Sequence, residues 1–190
     1  DILDKALEAY QFISINGDKW NLDVSRIVLM GRAEGGHLAT FVGYNITNEL
    51  NGNCTMNTNI RGIINLYGFT EWIEEPINER ENSHIYKKYN EMMNKIAFNG
   101  ETTDDDRYRV SSINYISECS PQTLSLHGKW NNFVKWELSK NMHDKLNKYN
   151  VNNLLLTFDW ETHQMEIGFH SLPNQMARYA IERFIAVCTV

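Results

Sequence analysis

Leu22-Asp-Val-Ser-Arg-Ile-Val-Leu-Met-Gly-Arg-Ala-Glu-Gly-Gly-His-Leu-Ala39 is the stretch whose reading decides the fold. Inside it, Ile27-Val-Leu-Met30 is a short continuous apolar run closed by Gly31, the pattern of a strand buried on both faces. The chain then turns through Gly31-x-Ala33-x-Gly35-Gly36 into His37 to Leu50, a segment of helical character. Small residues on either side of such a turn let its central residue, Ala33, take a strained backbone and project over the sheet beside a helix N-terminus. The plainer reading is a tight strand-to-helix turn whose glycines serve packing alone.

Working outward, Ile60 to Tyr67, Thr123 to Leu126 and Val151 to Phe158 read as further strands. Residues 2–16 place Ile2, Leu3, Ala6, Leu7, Ala9, Tyr10, Phe12 and Ile13 at helical spacing. Val134–Tyr149 and Pro173–Val187 have the same rhythm, with Leu138, Met142 and Leu146, then Met176, Ala180 and Phe184, expected on the faces turned to the core. Strands alternating with helices predict an α/β fold: a parallel sheet flanked by helices, in one partial domain over residues 1–190. Residues 72–111 break the rhythm. They are polar and charged, include Asp104-Asp105-Asp106, and read as an insertion over the carboxyl edge of the sheet or simply as a solvated surface.

Composition narrows the function. The 190 residues are 42% hydrophobic and 22% charged, ordinary for a soluble globular chain. A net charge of −6, with 18 Lys and Arg scattered along the chain, argues against nucleic acid as a partner. No apolar run approaches the roughly 20 residues of a membrane span, and the opening DILDKALEAY has neither the basic start nor the apolar stretch of a signal peptide. Cys54, Cys119 and Cys188 have no metal-ligand spacing, so neither a metal nor another cofactor is expected, and the odd count leaves at least one cysteine unpaired.

The opening stretch resembles the elbow of α/β-hydrolase carboxylesterases and lipases, in the branch of hormone-sensitive lipase and the smaller feruloyl-type esterases. Their pattern is Asp-x-x-Arg-Ile-x-x-x-Gly-x-Ser-x-Gly-Gly-His, against which Gly31, Glu34, Gly35 and Gly36 align. Ile63-Ile-Asn-Leu-Tyr-Gly68 is similar to the family's sixth strand, and Arg107-Tyr-Arg-Val-Ser-Ser-Ile-Asn-Tyr-Ile-Ser117 to the lead into the seventh. Ser120-Pro-Gln-Thr-Leu-Ser-Leu-His-Gly128 resembles that strand, and Trp160-Glu-Thr-His163 the loop of the catalytic histidine. The likeness spans nearly the whole chain in the correct order. A peptidase of the prolyl-oligopeptidase type shares paired glycines at the elbow, but the lead-in and the Trp-Glu-Thr-His ending resemble the esterases more.

The resemblance implies hydrolysis of a carboxylic ester by Ser, His and Asp, and it assigns His163 as general base. His37 and His127 fall in the motifs as packing and turn residues. Ala33 occupies the serine position, and a methyl group cannot attack a carbonyl. Asn131 occupies the acid position, where an amide gives the imidazolium no charge and can hold the wrong tautomer. Glu71 is the alternative acid. An engineered Ser-to-Ala change accounts for Ala33 alone, whereas natural loss of catalysis accounts for both substitutions. Relatives also have an oxyanion loop of His-Gly-Gly-Gly type with further strands before the elbow, and the residues before Gly31 contain no such motif. A strand that sits mid-sheet in relatives thus has an open edge here, so we expect a piece of a larger unit, or a partner chain or segment supplying the missing strands. The ligand implied is a small ester or hydrophobic molecule, taken by an inactive esterase or by a binding or interaction module that has lost the chemistry.

Overall fold

The apolar runs pair into one sheet. A computed structural model describes residues 2–48, 53–54, 58–72, 91, 103–168 and 170–190. Its strands are β1 (Ile27–Arg32), β2 (Ile60–Leu66), β3 (Thr123–Gly128) and β4 (Asn153–Phe158). They lie side by side in the order β1-β2-β3-β4, each pair parallel. Parallel neighbours need a crossover, and the helices supply it. α1 (Ile2–Asn16) precedes β1, α2 (Glu34–Asn48) follows it, and the short α3 (Asp104–Val110) lies before β3. α4 (Trp136–Lys148) and α5 (Leu172–Cys188) flank β4 in sequence. Four parallel strands flanked by helices are the α/β architecture expected from the sequence.

Strand alternation sorts the core into two layers. Ile63 of β2 packs with Ala39 and Tyr44 of α2 and with Met142 and Leu146 of α4. Ile64 and Leu66 turn the other way, joining Leu124, Leu126, Phe158 and Ala177 of α5. On α4 the expected face holds: Leu138, Met142 and Leu146 are all buried. On α5 the expected face holds at Ala180 and Phe184 but not at Met176. Ala177 is buried, with Ala180, Ile181 and Phe184 packed behind it, while Met176 is 48% exposed. Phe184 is seated at Gly62: a Cβ there would lie 2.8 Å from the Phe184 ring, so the ring sits over the gap that glycine leaves.

Two expectations need correction. β1 is not buried on both faces: Ile27, Val28 and Leu29 are half-buried and Met30 is 53% exposed. The cause is its place at the end of the strand order, where it pairs with β2 alone among the described residues. α1 forms as expected, yet Leu3 is its one buried residue, and Ile2, Phe12 and Ile15 are exposed.

Much of the 72–111 insertion lies outside the described residues, but its two ends meet. Trp72 N–H donates to Ser111 Oγ (2.8 Å), and Ile113 N–H donates to Thr70 O (2.9 Å). The acidic run is the first turn of α3, where Thr103 accepts from Asp106 N–H and the Asp106 carboxylate accepts from Thr103 N–H. That is a capping box, with negative charge set against the helix N-terminus. Cys54 and Cys119 form a disulfide, and Cys188 is free and buried.

The core assignment makes a stability prediction. Met142→Ala, removing a fully buried side chain, is expected to cost about 2–5 kcal/mol. Met176→Ala on the exposed side of α5 is expected to change stability by no more than about 0.5 kcal/mol. Denaturant midpoints of the two variants check the difference.

Candidate active site

The turn between β1 and α2 is built by crowding. A Cβ on Gly31 would lie 2.0 Å from Gly35 O, and one on Gly36 would lie 2.4 Å from Asn65 Oδ1. Only bare backbone lets the first turn of α2 approach β1 and the end of β2 this closely. Between the glycines, Ala33 has φ 49, the left-handed region that costs an L-residue roughly 1–2 kcal/mol. Two hydrogen bonds hold it there: Ala33 N–H donates to Leu66 O (3.0 Å), and Ala33 O accepts from His37 N–H (3.1 Å). Tyr67, the residue after β2, is left-handed too, at φ 43.

Over this turn opens a cleft of about 640 Å3, lined by Arg32, Ala33, Glu34, Phe133, Thr162 and His163 among others. The loop after β4 thus brings His163 into the same cleft as Ala33. His163 Nδ1–H donates to Asn131 Oδ1 (3.1 Å), and the ring stands edge-on to Tyr67, 4.7 Å between centroids. The amide oxygen faces the histidine because the same atom accepts Phe133 N–H and Val134 N–H, both at 3.0 Å. With that oxygen facing Nδ1, the ring proton lies on Nδ1 and the lone pair on Nε2. Burial holds the His163 pKa below the usual imidazole value. The Glu34 and Glu166 carboxylates pull it up, and Arg32 pushes it down.

A brace that sequence reasoning missed ties the histidine loop to β1. Glu166 accepts from Arg32 Nη1 (3.0 Å) and from the Tyr67 hydroxyl, while its backbone carbonyl accepts from the Asn174 amide of α5. The only sequence signal was an acid three residues past His163, a pattern too common to single out. Glu71 turns towards α4, where its Oε2 accepts from Asn141 Nδ2 (3.3 Å), and the structure does not bring it to His163. His37 Nδ1 lies 3.2 Å from Phe69 O at the base of the turn. His127 is fully buried beneath Asn131, which the motif reading had treated as a turn residue. Among the described residues no group of His, Cys, Asp or Glu is placed to hold a metal ion, and no helix is long and apolar enough to cross a membrane.

The parallel sheet and its flanking helices have the architecture of an α/β-hydrolase fold. The chain belongs to the BD-FAE family, whose model matches residues 3–146. Among curated proteins nothing matches the sequence. Among solved structures it is similar to an acetyl ester-xyloside bifunctional hydrolase from Caldicellulosiruptor lactoaceticus, with 21% identity, TM-score 0.74, and coverage of 99% of this chain and 66% of that one. A thermophilic esterase from the planctomycete Thermogutta terrifontis, solved with butyrate bound, has 18% identity and TM-score 0.72 over 98% of this chain and 65% of that one. A sugar hydrolase from Lactococcus lactis gives 18%, 0.63, 98% and 65%. The chain spans about two thirds of the length of each of these proteins.

The half-buried His37 and the fully buried His127 predict acid sensitivity. Burial lowers the pKa of His37 and of His127 to about 4, whereas in the unfolded chain each takes a proton near about 6.5. Between those values the unfolded state binds the extra protons, so stability is lost as pH falls from about 6.5 towards 4. Each histidine contributes a slope of about 1.4 kcal/mol per pH unit. Denaturant titrations across that window check the slope, and His37→Gln is expected to reduce it by about half of the combined histidine contribution.

Proposed function

We infer that this chain carries the site of a carboxylic ester hydrolase from which the nucleophile has been removed: a cleft for a small ester or hydrophobic ligand that does not turn the ester over. The observation that carries the reading is Ala33 at φ 49 between β1 and α2, in one cleft with His163, whose Nδ1 is held by Asn131. A left-handed residue between a strand and a helix N-terminus is where the fold presents a nucleophile elbow. In such a site a serine attacks the ester carbonyl, the histidine takes its proton and returns it to the leaving group, and an acid steadies the imidazolium. On this reading His163 is the base with its lone pair on Nε2, Ala33 offers no attacking atom, and Asn131 supplies the hydrogen bond without the charge. The hydrolase named for an acetyl ester and the esterase solved with butyrate favour short acyl groups as the ligand class.

A second reading, a ligand-binding or interaction module, is favoured by the same two residues, since the cleft persists with both in place. Both readings expect the unaltered chain to leave p-nitrophenyl acetate unhydrolysed. Ala33→Ser alone is expected to restore little. An amide at the acid position reduces turnover by about ten-thousandfold in a serine protease. Adding Asn131→Asp is expected to raise the rate above that of the single variant, fully so only when an oxyanion-forming segment is also supplied. Stopped-time hydrolysis of p-nitrophenyl acetate by the variants tests this, and ordinary esterase turnover from Ala33→Ser alone would overturn it. Butyrate titrated into the unaltered chain, read at the His163 ring by NMR, tests whether the cleft still binds.

A further inference from the structure

The side chain at position 131 is surrounded by donors. Asn131 Oδ1 receives Phe133 N–H and Val134 N–H, each at 3.0 Å, and His163 Nδ1–H at 3.1 Å. These contacts set the orientation of the amide, since turning it over would place an NH2 group against all three donors. Asn131 Nδ2 is then left 3.2 Å from His127 Nε2. That ring nitrogen also lies 2.9 Å from Val134 O, and His127 Nδ1 lies 2.8 Å from Ser139 Oγ. A carbonyl only accepts, so Nε2 carries the ring proton and the Ser139 hydroxyl donates to Nδ1. An N–H of the ring therefore faces an NH2, donor against donor. The other tautomer moves the conflict without removing it. A bare Nε2 accepts from Asn131 but opposes the lone pairs of Val134 O at the shorter distance. A carboxylate satisfies every neighbour, one oxygen taking the three N–H groups and the other sharing the Nε2 proton of His127 with Val134 O.

The geometry points to position 131 as a carboxylate cradle in which His127 is a second anchoring histidine, a positioning residue that holds the acid from the side opposite His163. This rests on the reading of residue 131 as the acid position, and goes beyond it by assigning His127 a role and by making aspartate the side chain that these surroundings prefer. His127 is suited to that role because it is fully buried, between the carboxyl end of β3 and Ser139 of α4. The charged and titratable groups that bear on His163 are Glu34 of α2, Glu166 of its own loop, Arg32 of β1 and Tyr67 beyond β2. His127 is faced by His163 and Tyr67.

The test needs no catalysis. In the full chain carrying Asn131→Asp, histidine ring NMR is expected to show the His163 pKa raised by about one pH unit or more, as for an imidazole gaining a carboxylate partner, and the His127 pKa raised as well. The stability gained follows the same signs. The aspartate's contribution is present above about pH 4 and lost below it, and the gain from raising the His163 pKa is complete below that histidine's value in the unaltered chain and lost as pH rises through the raised value. The gain in melting temperature is therefore expected to be larger near pH 5.5 than near pH 9 by these approximate values. An unmoved His163, or a lower melting temperature at every pH, overturns the cradle. A moved His163 with an unmoved His127 overturns the role of His127, and that readout leaves His127 itself unaltered. In the Asn131→Asp chain, His127→Gln keeps a donor near the Nε2 position and is expected to retain most of the His163 rise, whereas His127→Leu is expected to lose at least half of it. Equal retention in both also overturns the role. If the shifts appear and Ala33→Ser with Asn131→Asp still hydrolyses no ester, the ester reading fails and the cradle stands.

Discussion

The Asn65 side chain fills the space where the end of β2 meets the first turn of α2, and the candidate site depends on that contact. Its Oδ1 accepts Gly68 N–H at 2.9 Å, and the same atom is what a Cβ on Gly36 or on Gly68 would strike. Backbone approaches backbone here with no room for a side chain. The neighbouring Leu66 carbonyl holds Ala33 N–H. Together these contacts force the chain through a left-handed residue and aim α2 down one face of the sheet. Because β2 is central and well buried, a distortion that its other neighbours resist is stored locally, at the one place where a reacting side chain would benefit from being thrust out of the sheet.

Around that turn, position 131 and the histidine loop form two separate supports for one ring. Asn131 holds His163 from β3, and the Arg32, Tyr67 and Glu166 cluster pins the loop that bears it back to β1 and β2. The ring is thus restrained by elements whose relative positions the sheet sets. On the ester-hydrolase reading proposed above, Ala33 lacks an attacking atom while these supports for the ring remain in place.

How far the sequence reveals this depends on whether a feature is local. The strands of the interior are continuous apolar runs, and Leu138, Met142 and Leu146 recur every four residues, so both were legible. The run Ile27 to Met30 taken alone reads as buried on both faces, and its half-burial follows instead from the open edge that the family order implied for it. On α5 the spacing placed Ala180 and Phe184 correctly but fits Met176 as well as Ala177, and only the seating of the helix on the sheet decides between those two. The capping box at Thr103 and Asp106 was readable in principle, but the acidic run drew attention as charge instead of as a helix start. Ala33, His163 and Asn131 were found through motif order. Glu166 and His127 were not, since their roles exist only in contacts between loops.

The disulfide lies at the opposite end of the sheet from the cleft. Cys54 precedes β2 and Cys119 precedes β3, joining the approaches to the two central strands across a sequence separation of 65, while Ala33, Asn131 and His163 gather where the strands finish. A cross-link of that span restricts chiefly the unfolded chain, by about 4 kcal/mol in the chain-entropy treatment. Reduction would accordingly act as a thermostat on the whole molecule, lowering the temperature at which it melts, while the folded molecules that remain keep the same constellation of groups around the cleft.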